Sequence, residues 1–363
     1  MLKIIFLLHS LKIGGGNRVI IELSNKLVEK GIDVDIIYSN NSKEGNTFYL
    51  SNKINLIYVG NYKKNNFLKL INLFKIFRYV NTNYYKKKII LTDPLMSIFS
   101  FLLVKKNEVF RFIQADDYKI FDDLLVLKNK YALRLYKALI RISYSYKSIN
   151  FLFNSKYTYE KFVETSKKND IKYKLVHPAV NHLVFHNMNI RENNKFNICI
   201  IARKHPLKGF IDFLVAYKNI KSKIKIDNVF IISHDDLSAF DIQDTFLIRP
   251  KSDNEIAEYM NKAHVFISTS WWEGFGLPPL EAMACGCAVI LTNAGGVNEY
   301  AVPYKNSLMY EAKDVKKLGE CIVQLSNNKL LCEKLSKQAE IDSMNFSWNK
   351  SVNQLLETLE IYS

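Results

Sequence analysis

The sequence predicts an α/β protein made of two doubly wound, Rossmann-like domains. Short apolar runs bounded by turn residues alternate with helix-period segments along the whole chain, the pattern of parallel sheets covered by helices. That pattern starts afresh at residue 196, after the polar, aperiodic stretch HLVFHNMNIRENNK at 182–195. A length of 363 residues also suits about two domains of ordinary size. The expected organisation is a first domain over 1–181, a linker over 182–195, a second domain over 196–345 and a C-terminal segment over 346–363. Two such domains are expected to face each other across a cleft, with ligand-binding loops at the carboxyl ends of their strands.

In the first half, strands are expected at 3–8, 33–38, 54–59, 88–91, 109–113, 148–153 and 174–176. The apolar run Ile4 to Leu8 is too short for the roughly 7–15 apolar residues of a signal peptide and reads as the first strand. Between 17 and 29, Val19, Ile20, Leu23 and Leu27 share one helical face. The second half repeats the scheme with strands at 196–201, 229–232, 245–248, 265–268 and 288–291, and a helix near 210–217. The longest remaining apolar run, Leu95 to Val104, cannot cross about 30 Å of hydrocarbon. A cytoplasmic protein is expected, free or resting on the inner face of the cytoplasmic membrane.

Charge separates the halves. The chain carries 51 Lys+Arg against 35 Asp+Glu, for a net +16. Residues 1–180 hold 31 basic and 14 acidic side chains, whereas 181–363 hold 20 and 21. An AT-rich genome accounts for abundant Lys and Asn, but both halves share it. With 43 Lys and only 8 Arg, the chain lacks the bidentate donors that sequence-specific nucleic-acid readers use, and no nucleic-acid partner is expected. The five cysteines, all in the second half, form no CxxC pair, and the Cys-Gly-Cys at 285–287 is too tight for metal-ligand spacing. They read as buried free thiols in a reducing compartment.

Three loops carry the chemistry. Gly14-Gly15-Gly16-Asn17-Arg18 follows the first strand and opens a helix, so its amides can approach an anion; a plain strand-to-helix turn is the competing reading. Arg203, Lys204, His205 and Lys208 crowd the loop after the restarted first strand. Cations at a helix start oppose its dipole, which favours a diphosphate ligand over a merely solvated turn. The third loop is Ser270-Trp271-Trp272-Glu273-Gly274-Phe275-Gly276-Leu277-Pro278-Pro279-Leu280-Glu281. Its Gly-Phe-Gly turn exposes amides, and Pro279 suits a first helical turn. Glu281, expected in that first turn, is placed to accept hydrogen bonds from a ribose diol, and Glu273 to reach a sugar hydroxyl or the reacting centre.

The spacing Glu273-x7-Glu281 within GFGLPPLEAMACG resembles the signature of the retaining glycosyltransferase family 4, whose members have the GT-B fold. Further segments resemble that family in the same order: GGGNRVIIELSNKLVEKGIDVDII, ARKHPLKGF, NAGGVNEYA and the terminal FSWNKSVNQLLETLEIY. Ala288 departs from the family's usual proline. The resemblance implies transfer of a sugar from a nucleoside diphosphate donor. Arg203 and Lys208 would hold the diphosphate, Glu281 the ribose, and Glu273 with Gly274, Phe275, Gly276 and Leu277 the transferred sugar. Gly15 and Gly16 would approach the phosphates, and the last helix would cross back to the first domain. The family works without a metal, so neither metal nor cofactor is expected, and the two cations stabilise the leaving group.

On the acceptor side, Arg111-Phe112-Ile113-Gln114-Ala115-Asp116-Asp117-Tyr118 resembles a stretch of rhamnosyltransferase-like members, although Ala115 interrupts the usual order. Asp116 or Asp117 could orient the acceptor hydroxyl or cap a helix. His9, Arg18 and Gln114 are further acceptor-side candidates. Two basic amphipathic stretches, one with Phe67, Leu70, Ile71, Phe74 and Phe77 in line and one over 131–147, fit either core-facing helices or docking on an anionic membrane. The expected acceptor is a bacterial surface glycan, lipid-linked during its growth, and the sugar a hexose or rhamnose. The competing classes are a catalytically silent membrane- or nucleic-acid-binding adaptor, and a synthase or phosphorylase with a soluble acceptor.

Overall fold

Ile4, Ile5, Phe6, Leu7 and Leu8 are all fully buried, because strand β1 (Lys3–Ser10) sits in the middle of an all-parallel sheet covered on both faces. The computed structural model describes residues 2–12, 14–40, 49–60, 66–103, 107–119, 129–168 and 171–360, with the backbone alone at 40 and 66–70. The chain divides into two units, Met1–Pro178 with Trp348–Ser363, and Ala179–Ser347.

In the first unit, β2 (Asp33–Asn40), β3 (Asn55–Tyr58), β4 (Lys88–Leu91), β5 (Glu108–Ile113) and β6 (Ile149–Phe153) join β1 in the order β3-β2-β1-β4-β5-β6. The helices are α1 (Gly15–Glu29), α2 (Asn66–Asn83), α3 (Pro94–Ile98), α4 (Lys130–Tyr144) and α5 (Lys156–Ser166). The start of α5 is set by a capping box in which Ser155 and Thr158 satisfy each other's backbone amides. The expected strand at 174–176 is no strand: it contributes one parallel bridge, Leu175 to Phe153. In α2 the buried face is Leu73, Ile76, Phe77 and Val80, while Phe74, expected in the apolar line, is exposed. The side chains of Phe67 and Leu70 lie outside the described residues.

The second unit repeats the same order. Strands β7 (Asn197–Ile201), β8 (Asn228–Ile232), β9 (Phe246–Ile248), β10 (Val265–Ser268), β11 (Ala288–Thr292) and β12 (Leu308–Tyr310) run β12-β11-β10-β7-β8-β9, all parallel. Helices α6 (Phe210–Ile220), α7 (Asp253–Lys262), α8 (Leu277–Ala284), α9 (Val315–Asn327) and α10 (Lys329–Ser343) connect them. Strand β12 has no counterpart in the sequence reading.

The stretch 182–195, expected as a linker, belongs instead to the second unit. Its backbone and its Arg191 side chain hydrogen-bond to that unit. The Met188 amide donates to Asn261 Oδ1 at 2.7 Å, Asn261 Nδ2 donates to His186 O at 3.0 Å, and Arg191 Nη2 donates to Cys285 O at 2.7 Å. The final helix, α11 (Trp348–Thr358), is part of the first unit and packs against α1. With α11 on one side and the sheet on the other, α1 buries Ile21, Ser24, Asn25 and Val28 beyond the face read from the sequence.

Candidate active site

In the second sheet, β7 and β10 are neighbours from which the strand order runs in opposite directions. Loops leaving the carboxyl ends of two such strands diverge and leave a crevice for a ligand. The loop after β7 carries Arg203 and Lys208, and the loop after β10 carries Glu273. Gly209 closes the first loop at φ +61°, and a Cβ there would lie 2.1 Å from Thr269 O, so only glycine fits. Thr269 Oγ1 donates to Lys208 O at 2.9 Å and the Trp271 amide donates to Leu207 O at 2.8 Å. These contacts join the two loops, and Lys208 Nζ meets Glu273 Oε1 at 2.6 Å.

Arg203 takes a different carboxylate. Its Nε lies 3.2 Å from Asp235 Oδ2, which also accepts the Lys204 amide at 2.7 Å. Asp235 follows β8 and was not singled out from the sequence; the only signal was its place after a strand. Each of the two expected diphosphate-binding cations is therefore already held by a carboxylate. Beside them, Trp271 Nε1 donates to Asp212 Oδ2 at 2.7 Å, and Lys313 Nζ sits 4.0 Å from the Trp271 ring centroid.

The turn after Glu273 is held from the β11 side. The Glu273 amide donates to Ala294 O at 2.7 Å and the Gly296 amide to Glu273 O at 3.0 Å. A Cβ on Gly296 would lie 2.1 Å from Gly274 O, which requires the second glycine of the Gly295-Gly296 pair. Gly276 has φ +85° and precedes α8. Phe275 and Leu277 are buried, so they hold the turn with their side chains and offer only backbone to a ligand. Glu281 differs from expectation. Because α8 begins at Leu277, Glu281 is in the second turn and its residue is 2% exposed.

In the first unit the corresponding switch lies between β1 and β4. Helix α1 starts at Gly15, so Gly15 and Gly16 are its first two residues and Gly14 is the extended residue before it. No described residue lies within 4 Å of a Cβ on Gly15, while Gln114 Nε2 would lie 3.5 Å from a Cβ on Gly16. Gly16 and Gln114 are thus brought together. His9 ends half-buried on β1, and Arg18 is buried in α1.

The two aspartates separate in role. Asp116 Oδ1 accepts the Tyr118 and Lys119 amides, each at 3.2 Å, and caps a turn. Burial raises its carboxyl above the ordinary value, against the opposing pull of Lys119. Asp117 is committed to Arg111, whose Nη2 lies 2.7 Å from Asp117 Oδ2 with both side chains buried. Tyr136 Oη donates to Asp117 O at 2.7 Å. The geometry gives each aspartate a partner within the fold, Asp117 the Arg111 guanidinium and Asp116 the Tyr118 and Lys119 amides.

A cavity of about 430 Å³ lies near the amino ends of β7, β10 and β11, lined in part by Arg191, His264, Lys329 and Cys332. Arg191 there serves the ends of α7 and α8, donating to Ala263 O at 2.5 Å and Cys285 O at 2.7 Å. Among the described residues, no helix is long and apolar enough to cross a membrane.

Comparison with known proteins bears on both units. Sucrose-phosphate synthase from Thermosynechococcus elongatus is similar over 99% of each chain, with a TM-score of 0.82 at 15% identity. The fold is GT-B. Within it, residues 185–342 match the family model for glycosyl transferases group 1, a stretch that includes Arg203, Lys208, Glu273 and Glu281. An uncharacterized glycosyltransferase of Methanocaldococcus jannaschii is 37% identical over 106 residues, 29% of this chain and 30% of that one. The poly(glycerol-phosphate) alpha-glucosyltransferase of Bacillus subtilis is 27% identical over 182 residues, 46% of this chain and 27% of that one. The alignments therefore span less than a third of either curated relative.

Proposed function

We propose that this GT-B protein is a retaining, metal-independent glycosyltransferase that moves a sugar from a nucleoside diphosphate to a hydroxyl of a surface glycan. The observation that carries the reading is the Lys208–Glu273 pair at the strand switch, within the stretch that matches the glycosyl transferases group 1. A diphosphate binding there draws Lys208 and Arg203 away from their carboxylates. The same event frees Glu273 to accept a hydrogen bond from the transferred sugar. As the anomeric carbon parts from the diphosphate, charge grows on the leaving oxygen, and both cations stabilise it. The acceptor oxygen bonds to that carbon on the face the phosphate leaves, and its proton passes to the departing phosphate. No protein base is required by this route.

The acceptor reading extends to the surface of the first unit. Helix α4 exposes Tyr131, Leu135 and Ile142 in one stripe beside exposed Lys130, Arg134 and Arg141, and contains no acidic residue. Such a face suits the headgroup region of an anionic membrane, where each cation contributes about 1 kcal/mol. That supports an acceptor carried on lipid at the inner face of the cytoplasmic membrane. A polyanionic acceptor fits the same charge, and the similar Bacillus subtilis enzyme is named for a poly(glycerol-phosphate) substrate.

The test is a thermal-shift panel of UDP, GDP, dTDP and ADP, followed by transfer from the matching sugar nucleotide and NMR of the product anomer. Stabilisation by one diphosphate and a product of retained configuration are expected. No response to any nucleotide overturns the donor site, and an inverted product overturns the mechanism.

A further inference from the structure

Beside the Gly274–Gly276 turn lies Tyr300, which belongs to the NAGGVNEYA segment but is not among the residues placed at the site above. Tyr300 is 4% exposed, and its Oη donates to Gly276 O at 2.5 Å. Gly276 is the residue before α8, so the carbonyl that the phenol reaches stands at the helix start. The same hydroxyl would lie 2.9 Å from a Cβ on Gly276. Phenol and turn are thus in contact by hydrogen bond and by shape.

The phenol is also braced from behind. Tyr300 O accepts Asn306 Nδ2 at 2.8 Å, and that fully buried amide also reaches Asp342 Oδ2 at 2.7 Å. The ring packs 5.5 Å from Phe275 and 6.1 Å from Phe346, and those two rings are 5.8 Å apart, forming a closed triangle. Phe346 is itself anchored, its carbonyl accepting the Val180 amide and His182 Nε2, each at 3.2 Å. Burial holds the phenol far above its ordinary value, and Glu273 and Glu281 add to that. It therefore remains an O–H donor throughout the ordinary pH range, placed among both motif carboxylates.

We infer that Tyr300 is a positioning residue: a strut that fixes the Gly276 carbonyl, and with it the backbone of the turn that would hold the donor. The inference rests on the donor site proposed above. It goes beyond that site by assigning its alignment to a hydroxyl outside the Glu-x7-Glu string.

The experiment compares Tyr300→Phe with Tyr310→Phe. Tyr310 is also buried in the second unit, but its hydroxyl has no hydrogen-bond partner among the described residues. The readouts are hydrogen exchange of the Phe275–Leu277 amides in the unliganded protein, Kd for the preferred nucleoside diphosphate, and KM and kcat for its sugar nucleotide. In Tyr300→Phe those amides are expected to exchange faster, and Kd and donor KM to rise about tenfold with kcat changing less. Tyr310→Phe is expected to stay within about twofold of the parent in binding. Unchanged exchange in Tyr300→Phe overturns the strut, and faster exchange with unchanged Kd overturns its link to the donor. Equal losses in both variants reduce Tyr300 to a packing residue and also overturn the inference. If the parent binds no nucleotide the donor site fails by itself, and exchange alone then decides whether Tyr300 orders the turn.

Discussion

Lys208 Nζ and Glu273 Oε1 lie 2.6 Å apart although 65 residues separate them in the chain. Their side chains are 37% and 19% exposed, so the pair contributes only about 0.2–1 kcal/mol to the fold. Its importance is positional. One member leaves the loop after β7 and the other the loop after β10, and Thr269, Trp271 and Gly209 join those loops closely enough for the charges to meet.

Removing either carboxylate of the motif separates binding from turnover. Glu273→Ala is expected to lower kcat about 100–1000-fold with a small change in nucleotide Kd. Glu281→Ala is expected to weaken nucleotide binding about tenfold or more. Calorimetric titration together with initial rates checks both, and full transfer by both variants would refute the site.

The glycines of the site divide by the space around them. Gly296→Ala and Gly209→Ala each force a Cβ to within 2.1 Å of a backbone oxygen, and are expected to cost roughly 2–4 kcal/mol in urea unfolding. Gly15→Ala meets none of the described residues within 4 Å and starts a helix, so stability is expected to hold or rise by about 0.4–1 kcal/mol. A loss of donor binding in Gly15→Ala without a loss of stability would mark Gly15 as a phosphate contact.

Asp116 gives a pH-dependent stability difference. Its folded value is raised by burial, so folding favours the protonated form; stability from this group is full below the unfolded value near 3.8 and is lost as pH rises through the folded value. Asp116→Asn keeps an oxygen for the Tyr118 and Lys119 amides and removes the charge. It should therefore be more stable than the parent at pH 7, with the gain shrinking on acidification and vanishing below about pH 3.8. Urea midpoints across that range measure it, and a constant difference would refute the assignment.

Membrane docking is tested on α4. Arg134→Glu combined with Arg141→Glu is expected to weaken binding to anionic liposomes by about 2 kcal/mol or more, and Leu135→Ser to weaken it with little change in salt dependence. Flotation at low and high salt reads both effects. Binding by the parent that is absent, or insensitive to salt, would remove the docking face.

The strands of both sheets were legible because central parallel strands are buried on both faces. Runs such as Ile4 to Leu8 and Ala288 to Leu291 show that as unbroken apolar sequence. Where an element is short or turns on partners, the signal fails. β12 has three residues, the bridge at Leu175 has one pairing, and the polar 182–195 stretch looks like a linker until Asn261, Ala263 and Cys285 are seen to take its hydrogen bonds.

The site shows the same division. Local sequence determined the glycine turns, the position of Glu273 before α8 and the presence of two cations after β7, because backbone conformation and short spacing are properties of neighbours in the chain. The tertiary structure alone decided that Lys208 faces Glu273, that Arg203 faces Asp235, that Asp117 is committed to Arg111, and that Tyr300 supports Gly276. Sheet order brings the carboxyl ends of β7, β8, β10 and β11 side by side, and side-chain contacts among them depend on that order rather than on any spacing along the chain.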